Sequence, residues 1–221
     1  MTHPSELIIE PSSGKPANAC VFILHGLGAD GHDFEPLVPQ LDLPDGAEVR
    51  FIMPHAPSLA VTVNNGMTMP AWYDILSVDL GRKVDTAQLS RSARRIQRLI
   101  QTQIDQGIDS RRIIIAGFSQ GGAVAYQATL TFDQPLAGLL AMSTYLANPE
   151  ALVLAEANRA LPIEAHHGTA DPVVPENLGY QGVEALRRAG CTVEFRRYEM
   201  AHALCPAQID DISRFLDARL G

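Results

Sequence analysis

Arg112-Ile-Ile-Ile-Ala-Gly117-Phe-Ser119-Gln-Gly-Gly122 carries the chain from an apolar, β-branched run straight into Ala123-Val-Ala125, a small-residue stretch suited to open a helix. The pentapeptide Gly117-Phe-Ser119-Gln-Gly121 is weak evidence as a bare pattern, because a loop serine beside glycines is the plain alternative. Its placement between strand and helix gives it weight. A serine on a sharp strand-to-helix turn holds its hydroxyl clear of a sheet, and flanking glycines remove side chains that would collide there. The helix N-terminus adds an electropositive end where an oxyanion would form.

Further apolar runs rich in Val, Ile and Phe lie on either side: Leu7–Ile9, Cys20–Leu24, Val49–Met53, Leu136–Met142, Leu161–His166 and Thr192–Tyr198. With Ile113–Gly117 they make about seven expected strands. Amphipathic stretches at Thr86–Gln106, Gln120–Thr131, Glu176–Ala189 and Pro206–Leu220 alternate with the later ones and end near Gly, Asp or Pro. The alternation predicts an α/β fold in one domain over residues 1–221, a mostly parallel sheet with helices on both faces. In Thr86–Gln106 the residues Leu89, Ala93, Ile96, Ile100 and Ile104 share one stripe, while Arg91, Arg94, Arg95 and Arg98 fall opposite, as a solvated face or a docking patch.

The connection Pro54–Lys83 is far longer than a typical link and holds no long amphipathic helix. Val61-Thr-Val63 and Met67-Thr-Met69 flank Asn64-Asn-Gly66, a hairpin signal, so an insertion is expected at about 58–76. One side of it, with Val63, Met67, Met69, Trp72 and Leu76, is expected to wall a substrate acyl chain; the alternative is that these residues pack the hairpin onto the body.

A serine hydroxyl needs a histidine base, itself oriented by a carboxylate. Where such a serine follows a central strand, the chain order is Ser, acid, His. Of the histidines beyond Ser119, His166 and His167 precede any Asp placed just after a late strand, which leaves His202 in Met200-Ala-His202. Among Asp133, Asp171 and Glu176, only Asp171 lies directly beyond an apolar strand; it also suits a capping role. Adjacent His166 and His167 point to opposite faces of a strand and have no third ligand at suitable spacing, so no metal is expected. Two backbone donors are needed for an oxyanion. Gln120, after the serine, is one; Leu27, in the glycine-bracketed turn His25-Gly-Leu-Gly28 after Cys20–Leu24, is the candidate for the other. His25 itself reads as a packed support of that turn.

The 221 residues are 46% hydrophobic, enough for one sizeable core, with a net charge of −8 and a pI near 5.3. An acidic molecule repels phosphate backbones, so nucleic acid is not an expected partner. No apolar window reaches membrane-spanning length and no leader pattern opens the chain, so a soluble, cytoplasmic protein without membrane insertion is expected. Cys20, Cys191 and Cys205 are read as reduced thiols. The oligomeric state is left open, a homodimer included.

Five motifs, His25-Gly-Leu-Gly-Ala-Asp-Gly31, Ala71-Trp-Tyr-Asp-Ile75, Gly117-Phe-Ser-Gln-Gly-Gly122, His167-Gly-Thr-Ala-Asp171 and Met200-Ala-His202, stand in one order between about Cys20 and Ile212. In these the chain resembles the acyl-protein thioesterase and lysophospholipase-like carboxylesterase family of α/β-hydrolases. The resemblance implies a serine carboxylesterase cleaving small acyl esters, acyl thioesters or lysophospholipids without a metal or organic cofactor, with an acylated protein among its substrate classes. It implies the triad Ser119, Asp171 and His202 and the oxyanion pair Leu27 and Gln120. One position departs from the family pattern: Ala201 stands where glycine precedes the histidine. If positive φ were required there, alanine would cost on the order of 1 kcal/mol and the His202 loop would differ.

Overall fold

The computed structural model describes residues 6–78 and 82–221; residues 79–81, part of the long connection, and residues 1–5 lie outside it. In chain order the elements are β1 (Glu6–Ile9), β2 (Ala19–Leu24), a 3-10 helix (Gly31–Gln40), β3 (Val49–Pro54), β4 (Ser58–Val61), β5 (Met67–Pro70), β6 (Ile75–Ser77), β7 (Lys83–Val84), α1 (Thr86–Asp105), β8 (Ile113–Phe118), α2 (Gln120–Leu130), β9 (Gly138–Met142), β10 (Ile163–Gly168), α3 (Glu176–Arg188), β11 (Val193–Tyr198) and α4 (Pro206–Leu220), with shorter 3-10 turns between some of them. Seven strands form the central sheet in the order β1-β3-β2-β8-β9-β10-β11. β1 pairs antiparallel with β3, and the other five pairings are parallel.

The two-residue strand period divides the core in two. Cys20, Phe22, Leu24, Ile113, Ile115, Leu139 and Ala141 face one side, where they meet Leu89, Ile96 and Ile100 of α1, Val124 of α2 and Val183 of α3. Val21, Ile23, Ile114, Ala116, Leu140 and Met142 face the other, against Ile212, Phe215 and Leu216 of α4 and Phe34 and Leu37 of the 3-10 helix. Handedness explains the division. From β2 the chain steps one way to β3, and from β8 it steps the other way through β9 and β10 to β11; right-handed crossovers then put the two sets of connections on opposite faces. The direction reverses between β2 and β8, and the crevice at their carboxyl ends is where ligands of open α/β sheets bind.

Two elements differ from expectation. Strand β4 ends at Val61 and pairs with β5 through Val61 opposite Met67, while Thr62–Asn64 turn into a 3-10 helix. The cause is Asp74, whose carboxylate accepts from Thr62 N at 2.7 Å and Thr62 Oγ1 at 2.6 Å and so pulls this segment out of the ladder. Asn65 at φ 56° and Gly66 at φ 74° complete the reversal in the left-handed region. The second is a ten-residue 3-10 helix where the sequence reading placed no element, started by Asp30 Oδ1 accepting from His32 N at 2.8 Å. Its buried residues Gly31, Phe34 and Leu37 recur every third position, the 3-10 period, and Pro36 and Pro39 inside it break any α-helical reading.

Candidate active site

Ser119 follows β8 at φ 54° and ψ −120°, a strained backbone for a non-glycine residue. Neighbours hold it there: Ser119 N donates to Met142 O at 2.9 Å, and its carbonyl accepts from Gly122 N at 3.0 Å and from Thr144 Oγ1 at 2.6 Å. The glycines around it make room. A Cβ on Gly121 would lie 2.3 Å from Leu24 O and 2.5 Å from His25 O, and one on Gly117 would lie 2.5 Å from Gly121 O, so β2, β8 and α2 meet only through bare backbone.

Asp171 closes the turn after β10 with its side chain fully buried. Its Oδ1 accepts from Val173 N at 2.8 Å and Val174 N at 2.9 Å, and its Oδ2 lies 2.7 Å from His202 Nδ1. One carboxylate thus meets His202 and holds the turn ahead of α3, but it does not cap that helix, whose N-cap is Pro175 with no side-chain bond. His202 follows β11, its ring 4.6 Å from that of Phe118. With Nδ1 engaged by Asp171, Nε2 is the nitrogen left for a proton acceptor role. The His202 loop presses on β10 so closely that a Cβ on Gly168 would lie 2.4 Å from Met200 O and 2.5 Å from Ala201 O. Positive φ among described non-glycine residues is confined to Asn65, Ser119 and Ser143, so Ala201 needs no glycine-like backbone and carries no such cost.

Leu27 sits in the turn after β2, where Gly26 brings its backbone within 3.4 Å, measured from an added Cβ, of Ser119 Cβ, and Gly28 takes φ 79°. Gln120 is the first residue of α2, where a backbone N–H has no partner inside its helix. His25, fully buried, supports the Leu27 turn: its Nδ1 is 2.8 Å from Gly26 O and its Nε2 accepts from Ala56 N at 3.0 Å. Those two bonds require a neutral ring, and burial lowers its pKa accordingly. Of the adjacent pair, His166 Nε2 meets Glu164 at 3.0 Å and His167 Nε2 meets Val174 O at 2.8 Å.

A cleft of about 560 Å³ opens beside Ser119 and His202, with Leu27 at its rim and Phe34, Leu37, Phe118, Val173, Leu204 and Ile209 among its apolar lining. The residues expected to wall an acyl chain, Val63, Met67, Met69, Trp72 and Leu76, are not among the described residues that line this cleft. Trp72 is 1% exposed, with its indole N–H donating to His25 O at 2.8 Å. Val63 packs on the core, Met67 and Leu76 face outward, and Met69 lies beside Gly28. The segment braces the turns that carry Leu27 and Gln120. Gly28 N donates to Pro70 O at 2.9 Å, and the Gln120 side chain accepts from Trp72 N at 2.8 Å and donates to Tyr73 O at 2.7 Å. The lining residues Phe34 and Leu37 went unread because prolines hide their element; their three-residue spacing was the available signal.

The phospholipase/carboxylesterase family model matches residues 4–220. The chain belongs to that family. Family membership makes it a carboxylic-ester hydrolase of the α/β-hydrolase fold. Within the family, it is 42% identical over 218 residues to acyl-protein thioesterase 1 of Neurospora crassa, covering 91% of this chain and 87% of the relative. It is 37% identical to acyl-protein thioesterase 1 of Mycosarcoma maydis, covering 96% and 95%. The crystal structure of Zea mays acyl-protein thioesterase 2 superposes with a TM-score of 0.85 at 25% identity, covering 99% of this chain and all of that one.

Proposed function

We propose that this family member hydrolyses acyl esters and acyl thioesters through an acyl-enzyme, with Ser119 as nucleophile, His202 as base, Asp171 as its orienting acid, and the Leu27 and Gln120 N–H groups as oxyanion donors. The observation that carries this reading is the bond from Asp171 Oδ2 to His202 Nδ1 at 2.7 Å, with His202 and Ser119 lining one cleft. Ser119 Oγ attacks the acyl carbon while its proton passes to His202 Nε2; the tetrahedral oxyanion collapses, and the alcohol or thiol leaves with that proton. Water then adds by the same route, releasing the acid and restoring the serine. Every group this needs is an amino-acid side chain or backbone amide, so the mechanism calls for no cofactor.

The apolar lining of the cleft suits a hydrocarbon chain. Acylated proteins are the substrate class suggested by the relatives' names, with lysophospholipids as a further class within the family's range. A cytoplasmic site of action fits the free thiols of Cys20, Cys191 and Cys205, and among the described residues no helix is long and apolar enough to cross a membrane.

Ser119→Ala is expected to lower kcat on p-nitrophenyl esters and a matched thioester by about 10⁶ and to abolish fluorophosphonate labelling. An alanine variant that keeps more than a tenth of the wild-type rate would remove Ser119 from the mechanism.

A further inference from the structure

The cleft beside Ser119 does not end at open core. Leu37, 7% exposed and carried by the 3-10 helix, lines that cleft on one side and a second, enclosed space of about 10 Å³ on the other. The enclosed space lies between the sheet and α4, and its walls are wholly apolar: Val21, Ile23, Ile114, Leu140, Met142 and Ile212 belong to it. Among the described residues no polar side chain borders it, so they offer water no partner there. Protein interiors are close-packed, so the length of the cleft on this side is set by the side chain that stands there, and truncating that side chain is what adds room. Leu37 is thus the described side chain that lines both the substrate-sized cleft and this small apolar space.

We propose that Leu37 is the specificity-determining residue that sets how long a hydrocarbon chain the cleft admits. This rests on the reading of the cleft as the site where Ser119 meets its ester. The chain enters past Phe118 and Leu204, runs along Phe34, and stops against the Leu37 side chain. While it advances along an apolar wall, each added methylene raises kcat/KM by about fourfold, and the gain ends where the wall turns across its path. Leu37→Ala removes the three terminal carbons of the stop and joins the cleft to the space behind it. Leu37→Phe brings the stop forward.

The test is kcat/KM for wild type, Leu37→Ala and Leu37→Phe on two series of esters, one lengthening the acyl chain at fixed alcohol and one lengthening the alcohol at fixed acyl group. Each result is read as the ratio of long to short chains within one variant, so a general loss of activity does not enter. In one of the two series, wild type should rise and then level. Leu37→Ala should move the break outward by about two carbons, an increase of about tenfold in the long-to-short ratio, and Leu37→Phe should move it inward. The series that responds identifies which end of the ester occupies the cleft. A break that stays at the same length in both variants, or a wild type with no length dependence in either series, overturns the assignment. If Leu37→Ala does not fold, the inward shift in Leu37→Phe decides alone. Wild-type protein that turns over no ester at all would instead overturn the proposed function, a result distinct from an unmoved break.

Discussion

At the residue scale, Asp171 joins a turn to a histidine in one carboxylate. Its Oδ1 holds the Val173 and Val174 amides, and its Oδ2 meets His202. Asp171→Asn keeps an oxygen for the amides but turns an NH₂ toward His202 Nδ1, favouring the tautomer with no lone pair available for Ser119. The variant is expected to melt close to wild type yet lose about 10⁴ in kcat, while Asp133→Asn, on an exposed residue, leaves kcat unchanged. Equal losses at both positions in a steady-state assay would move the acid elsewhere. That Ser119, Asp171 and His202 would stand together at strand ends was legible in the sequence, because chain order and strand ends constrain them. Leu37 and Phe34 were not, because their role depends on which helix of the opposite face reaches the crevice.

At the element scale, the β4–β5 hairpin turns out to be a brace. Pro70 O holds Gly28 N, and the segment that follows is gripped by the Gln120 amide, Ser92 Oγ and His25 O. Replacing Val61–Met69 by a short glycine linker is therefore expected to lower kcat/KM by more than tenfold on acetyl and octanoyl esters alike, because Pro70, which holds Gly28 N, loses most of the β4–β5 ladder that positions it while the cleft lining stays. A deletion that spares the acetyl ester but flattens the chain-length profile would return the acyl wall to the hairpin. The Asn-Gly turn was readable from local chemistry. The pull of Asp74 on Thr62 comes from twelve residues away, and local patterning carries no trace of it.

At the scale of the whole molecule, folding removes ionisable groups from water, and this makes stability depend on pH. Burial lowers the pKa of both His25 and His166 below the ordinary histidine value. The unfolded chain therefore takes up protons first as the solution is acidified. Stability from the neutral rings is complete above about pH 6.5, falls as pH drops through that value, and stops falling once the folded rings are themselves protonated. Calorimetry should show a lower Tm at pH 5.5 than at pH 7.5; a Tm unchanged over that interval would contradict neutral burial. The same scale separates what sequence and tertiary structure each decided. The apolar runs determined the strands of the central sheet, the amphipathic stripes α1, α3 and α4, and the glycine-flanked Ser119 the site's position at a strand end, because each depends on near neighbours and a period of 2 or 3.6; α2, read as amphipathic, is buried on nearly every side. Which residues wall the cleft was decided only by the tertiary structure. Phe34, Leu37, Phe118, Leu204 and Ile209 come from separate segments, and they meet only because the reversal between β2 and β8 and the return of α4 over the sheet place them around one crevice.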